Sequence, residues 1–119
     1  MKTHKDLDVW KKSIEFAREL YTVTGSFPKE EIFGLTNQLR RAAVSIPSNI
    51  AEGAARQTRK EFIQFLHIAL GSSAEVETQL ILAEKLKLTS ADLSYLKQSL
   101  NEIILMLTGL IRSLRRCDE

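Results

Sequence analysis

The stretch Leu93-Ser94-Tyr95-Leu96-Lys97-Gln98-Ser99-Leu100-Asn101-Glu102-Ile103-Ile104-Leu105-Met106-Leu107-Thr108-Gly109-Leu110-Ile111-Arg112-Ser113-Leu114 decides the fold class. Leu93, Leu96, Leu100, Ile103, Leu107, Leu110 and Leu114 recur at alternating steps of three and four. Such steps place apolar side chains on one stripe of an α-helix, the seam used by nearly parallel packed helices. Working backward, Phe62, Leu66, Ala69, Ser73, Val76, Leu80 and Ala83 repeat the pattern, and so do Leu7, Trp10, Ile14, Ala17 and Tyr21. Ile32, Leu35, Leu39, Ala43, Ile46 and Ile50 supply a fourth inward face. No segment alternates polar and apolar residues as a half-buried strand does, and five Gly and two Pro leave few tight turns for a β fold.

Three breaks separate the four segments. Thr24-Gly25-Ser26-Phe27-Pro28 pairs a helix-ending Gly with a Pro suited to a helix entry. Thr58-Arg59-Lys60-Glu61 reads as a capping box, and Thr89-Ser90-Ala91-Asp92 offers hydroxyl N-caps with an acid in the first turn. Helices are expected at roughly 7–23, 29–55, 59–87 and 91–116, forming a single domain over 1–119. Short connections make an all-α, antiparallel up-down-up-down four-helix bundle the expected architecture. The second helix carries Pro47, which removes the amide that would bond the Ala43 carbonyl and clashes with it. A kink near residues 43–47 is expected, with Ser45, Ser48 or Asn49 satisfying freed backbone groups; the alternative is a boundary between two short helices.

Composition narrows the function classes. The chain has 119 residues, 44% hydrophobic and 27% charged, which suits one folded domain and excludes a disordered chain. It lacks an apolar run of membrane-spanning length, and Met1 through Asp6 lacks a signal peptide's apolar core, so a cytoplasmic location is expected. The single Cys117, expected as an exposed thiol, gives no disulfide framework and no cysteine-built metal site. His67 has no second ligand at helical spacing, and Glu75, Glu77 and Glu102 lack the paired Glu-x-x-His of di-iron bundles. Neither a glycine-rich phosphate loop nor a nucleophile elbow is present. These absences lead us to expect no catalytic residues, no metal and no cofactor. Trp10 and Tyr21 are read as core residues of the first helix's seam rather than as stacking platforms for bases.

Two features point to partners. Phe62 through Leu70 and Ile103 through Leu107 are apolar nearly all round, more than one bundle face requires. Ile63, Leu70, Ile104 and Ile111 are therefore candidates for a subunit interface, the alternative being a wide core that absorbs both faces. The net charge is only +2, yet every arginine except Arg18 falls in the second helix, the loop after it, or the fourth helix's end. An up-down bundle brings the last two regions to one end. Arg56, Arg59, Lys60, Arg112, Arg115 and Arg116 are thus candidate nucleic-acid contacts, since guanidinium forks match phosphate. The alternative is a solvated rim, with the last three arginines favoured at a helix C-terminus.

Asp6-Leu7-Asp8-Val9-Trp10-Lys11-Lys12, the stretch Gly34 through Gly53 and Gly71 through Leu80 resemble the small proteins encoded in bacterial 23S rRNA intervening sequences. The resemblance covers nearly the whole chain and is most specific in the second helix, where Arg40, Arg41, Ser45, Pro47, Ser48, Asn49, Glu52 and Gly53 carry the family's signature. It implies a homo-oligomeric bundle, with a pentameric ring the favoured form. It also implies similarity in fold to the accessory proteins of diversity-generating retroelements, which engage reverse transcriptase and nucleic acid. The modest +2 departs from such strongly basic barrels. Within the signature, Ser45, Ser48 and Asn49 are expected to be partly buried and paired, and Arg40 to pair with Glu52 or Glu77. The expected function is a non-enzymatic oligomer that binds RNA or DNA through repeated arginines. The alternative is a scaffold for a partner protein such as a reverse transcriptase.

Overall fold

The computed structural model describes residues 2–116; Cys117 lies outside them. Regular structure among the described residues is entirely helical: α1 Asp8–Thr24, α2 Leu35–Ala54, α3 Arg59–Lys85 and α4 Ser94–Arg116, with 3-10 turns at His4–Asp6 and Lys29–Glu31. Each long helix packs on two neighbours, α1 on α2 and α4, α3 on α2 and α4. Side-chain pairs give the directions. Lys97 meets Glu84 while Arg115 meets His67, so α4 descends as α3 rises. Gln79 meets Gln38 while Ser72 meets Ser45, so α2 and α3 are antiparallel as well. The product is an elongated four-helix bundle of 49 × 21 × 19 Å.

Helix boundaries differ from the expected ones where side chains cap the backbone. α2 begins at Leu35 rather than residue 29, because the 3-10 turn is followed by Gly34 in a non-helical conformation. The Glu31 carboxylate then accepts the Leu35 amide at 3.3 Å. α4 begins at Ser94, whose amide donates to the Asp92 carboxylate at 2.9 Å. The Ser94 hydroxyl, and then that amide, hold the Asp92 carboxyl below its ordinary pKa. Thr58 caps α3 by accepting the Glu61 amide at 3.1 Å, but the Glu61 carboxylate bonds the Thr58 hydroxyl instead of completing the box through the backbone. α3 closes with Lys87 at φ 54°, and the Leu88 amide reaches back to the Ala83 carbonyl.

The core follows the expected stripes on three helices and departs from them on α1. Leu66, Ala69, Ser73, Val76, Leu80 and Ala83 of α3 are buried, with Phe62 half-buried. On α2, Leu35, Leu39, Ala43, Ile46 and Ile50 are buried, but Ile32 precedes the helix and is half exposed. Leu93, just before α4, and Leu96 through Leu107 on it keep the seam. The stripe then passes to Ile111, while Leu110 and Leu114 are half-buried. Two successive four-residue steps, Ile103 to Leu107 to Ile111, follow the ~3.6-residue turn better than strict heptads do.

In α1 the buried face is Val9, Ser13, Phe16, Leu20 and Thr24. The expected stripe lies to one side of it, with Ile14 and Tyr21 exposed and Trp10 half-buried against the His4 ring. Ser13 and Thr24 disguise the true seam because they are polar. Their hydroxyls donate to the Trp10 and Leu20 carbonyls at 2.8 Å, which lets them sit in the core.

α2 runs unbroken through the buried Pro47, so the residue does not divide two short helices. Two residues on, the Asn49 side-chain amide donates to both the Ser45 carbonyl and the Ser45 hydroxyl at 2.8 Å, and Ser45 and Ser72 bond each other at 2.8 Å. This chain ties α2 to α3. Below it, α2 approaches α3 without a side chain: a Cβ on Gly53 would stand 2.6 Å from the Phe65 Cβ and 3.0 Å from the Phe62 ring.

Four outcomes are expected in thermal unfolding. Gly53→Ala lowers stability by about 1–3 kcal/mol through overpacking, although alanine is the better helix former. Gly71→Ala, where nothing lies within 4 Å, raises stability by up to about 1 kcal/mol. Asn49→Ala costs about 1–2 kcal/mol from two lost hydrogen bonds; an unchanged melting temperature rejects the bridging role. Because the folded Asp92 pKa is depressed, its contribution is present above the ordinary carboxylate range and is lost as pH falls through the folded value. The melting temperature of Asp92→Asn therefore falls less steeply on acidification than that of the parent.

Candidate functional site

The six cationic residues proposed for nucleic-acid contact divide into two groups. Arg112, Arg115 and Arg116, in the last two turns of α4, line a cleft of about 330 Å³ against α3. Its apolar floor is Leu70 and Ile111, with His67 on the α3 wall. The Arg115 guanidinium lies 3.1 Å from His67 Nε2. Since arginine only donates, His67 Nε2 is the acceptor in this contact. Arg112 and Arg116 are exposed and make no ion pair among the described residues.

Helical periodicity extends this cationic surface along α3. Lys60 precedes His67 by seven residues, two turns and about 10 Å along the same face. Arg59 stands eleven residues before Leu70, close to three full turns, and so shares the α4-facing side. Arg56 does not join them. It pairs with Glu52 at 3.1 Å and its guanidinium lies 4.7 Å over the Phe65 ring, on the α2 side of α3. Grouping Arg56 with the rest by loop position overlooked that pairing, although Glu52 to Arg56 is an i,i+4 spacing.

The hydrophobic candidates also separate. Ile111 is buried in the chain's own core, so it offers no surface to a second subunit. Ile63, Leu70 and Ile104 are half-buried and pack against the core. The large apolar side chains exposed on these helices are instead Ile68, Ile81, Leu82, Tyr95 and Leu105, outside the seams. At the opposite end from the arginine cleft, Phe33 is 93% exposed beside Ile32.

The second-helix signature divides by role. Arg40 pairs with neither Glu52 nor Glu77 as expected. Its guanidinium donates to Thr24 Oγ1 at 2.9 Å and to the Tyr21 carbonyl at 3.2 Å, and lies 4.6 Å over the Tyr21 ring. It thereby supplies donors and positive charge to carbonyls at the C-terminal end of α1. Ser45 and Asn49 form the bridge already described, Ser48 is exposed, and Gly53 admits the two phenylalanines of α3. Arg41 points outward and lines a second hollow, of about 360 Å³, between α2 and α3. Asn37, Gln38, Ala42, Ser45, Ser72 and Glu75 complete its wall. The sequence reading did not single out this polar hollow; the four-residue steps Asn37, Arg41 and Ser45 were its available signal.

Comparison with known proteins bears on the family and the fold. No curated protein matches the chain. A crystal structure from Bacteroides thetaiotaomicron, described as a protein of unknown function from the S23 ribosomal protein family, superposes with a TM-score of 0.79 at 30% identity. The match covers 87% of this chain and 95% of that one. Residues 5–109 match the family described as 23S rRNA-intervening sequence protein. With nearly all of α1 to α4 inside that match, the chain belongs to the 23S rRNA-intervening sequence protein family.

Proposed function

We propose that this protein is a non-enzymatic, cytoplasmic nucleic-acid-binding bundle that works as a homo-oligomer, a pentamer being the favoured form. Its α3–α4 cleft takes the phosphate backbone of RNA. The observation that carries the proposal is the convergence of Arg112, Arg115 and Arg116 on one cleft while the chain's net charge is only +2. A small net charge does not draw polyanions by itself; three guanidinium groups on one wall do, through forked bonds to phosphate oxygens. Arg59 and Lys60 lengthen the track along α3. Repetition around an oligomer multiplies a patch that is modest in one subunit. Among the described residues no helix is long and apolar enough to cross a membrane.

A second reading has an observation of its own. Phe33, 93% exposed beside the exposed Ile32 at the other end of the bundle, suits a protein partner rather than a phosphate. A scaffold that engages a reverse transcriptase or another ribonucleoprotein component through this end is the alternative, and it needs no nucleic-acid contact.

Light scattering after size-exclusion chromatography, with and without a structured RNA, separates the two readings. The first predicts an oligomer that gains RNA mass at low salt and loses it at moderate salt. Replacing Arg112, Arg115 and Arg116 together by Gln flattens the log–log salt dependence by about 2 for a single strand, at roughly 0.7 per lost phosphate contact. An oligomer indifferent to RNA at every salt concentration rejects the first reading, and a monomer rejects assembly.

A further inference from the structure

The hollow between α2 and α3 is chemically unlike the arginine cleft. Of about 360 Å³, it sets the Glu75 carboxylate on α3 and the Arg41 guanidinium on α2 among the carboxamides of Asn37 and Gln38. Its floor is already satisfied, because Ser45 and Ser72 bond each other at 2.8 Å and Asn49 donates to Ser45. Its walls are held from behind. Gln79, only 8% exposed, donates to Gln38 Oε1 at 3.2 Å and to Glu75 Oε2 at 3.3 Å, while its own Oε1 is buried without a partner. Arg41 and Glu75 both line the hollow yet form no ion pair with each other. A carboxylate and a guanidinium thus stand available across a preformed space.

We infer that this hollow receives an unpaired guanine base from the strand whose phosphates lie in the arginine cleft; the inference rests on the nucleic-acid reading above. Guanine presents adjacent N1–H and N2–H donors on one edge, matching a carboxylate that only accepts. On its other edge it presents the O6 and N7 acceptors, the pair that a forked guanidinium reads best. Adenine offers an acceptor at N1, which faces Glu75 unfavourably, and the pyrimidines lack the O6–N7 pair. The carboxamides of Asn37 and Gln38 add both donors and acceptors at the rim.

The backbone between the two sites is clear. Leu70 lines the arginine cleft and Ser72 lines the polar hollow, so Gly71 alone separates them in sequence. Gly71 is exposed, and nothing lies within 4 Å of the place its Cβ would occupy. At Gly71 itself a strand passing over α3 meets no side chain. The crossing spans about one helix width, ~10–12 Å.

Fluorescence anisotropy tests the site with short oligouridylates carrying one central G, inosine, A or C, on the intact protein at low salt. The G strand is expected to bind roughly tenfold more tightly than the A strand, with inosine, which lacks the N2 amine, between them. Glu75→Gln and Arg41→Gln, both at exposed positions, are expected to reduce the G-to-A ratio below about twofold. Their unchanged melting temperatures would show that the fold is intact. Equal affinity for all four strands, with binding still dependent on Arg112, Arg115 and Arg116, overturns the guanine site and leaves the phosphate cleft standing. Absence of binding to every strand overturns both.

Discussion

The bundle depends on how closely α2 approaches α3. Gly53 lies where an added Cβ would stand 2.6 Å from the Phe65 Cβ, so only glycine allows this approach. Higher along the same pair, Ala42 and Ala43 face a helix whose buried side includes Ala69, Ser72 and Ser73. Small residues on both partners bring the backbones together, and the Ser45–Ser72 bond then pins the register. The more open α3–α4 pair, built on long aliphatic side chains, leaves space for the arginine-lined cleft at its end. Tight packing on one side of α3 thus accompanies a usable surface on the other.

Polar residues inside this bundle serve as fasteners. Ser13, Thr24 and Ser73 each return a hydroxyl to a carbonyl of their own helix, so burial leaves no unmet donor there. Thr24 has a further task, since its oxygen also accepts from Arg40 and links α1 to α2. This arrangement explains why a family signature rich in Ser, Asn and Arg is compatible with a folded core. Arg40 serves the fold by bonding the end of α1, whereas its neighbour Arg41, about 100° further round the helix, faces solvent and the polar hollow.

Fold class was legible because Leu93 through Leu107 and Leu66 through Ala83 repeat at steps of three and four with little interruption. The face of α1 was not, since Trp10, Ile14, Ala17 and Tyr21 form an equally regular stripe of greater hydrophobicity than Val9, Ser13, Phe16, Leu20 and Thr24. Only the hydrogen bonds of Ser13 and Thr24 reveal which stripe is inside. In the candidate site, Arg112, Arg115 and Arg116 share a short helical segment, so sequence proximity implied a common cleft. Arg56 misled because its partners, Glu52 and Phe65, lie on the other side of α3. Ile111 misled because a seam that follows the natural helical turn draws it inward. The polar hollow joins residues some thirty positions apart, so the steps Asn37, Arg41 and Ser45 mark its α2 wall but not the Ser72 and Glu75 wall that faces it.

On the proposed reading, the arginines on the α3–α4 side, rather than arginines in general, meet nucleic acid. Side-chain nuclear magnetic resonance of the arginine Nε–H groups during titration with a short single-stranded RNA addresses each of them at once. Shifts are expected at Arg112, Arg115 and Arg116, with Arg18, held by Glu15, and Arg40, held by Thr24, remaining still. Shifts spread evenly over all arginines, or confined to Arg18 and Arg40, would contradict it.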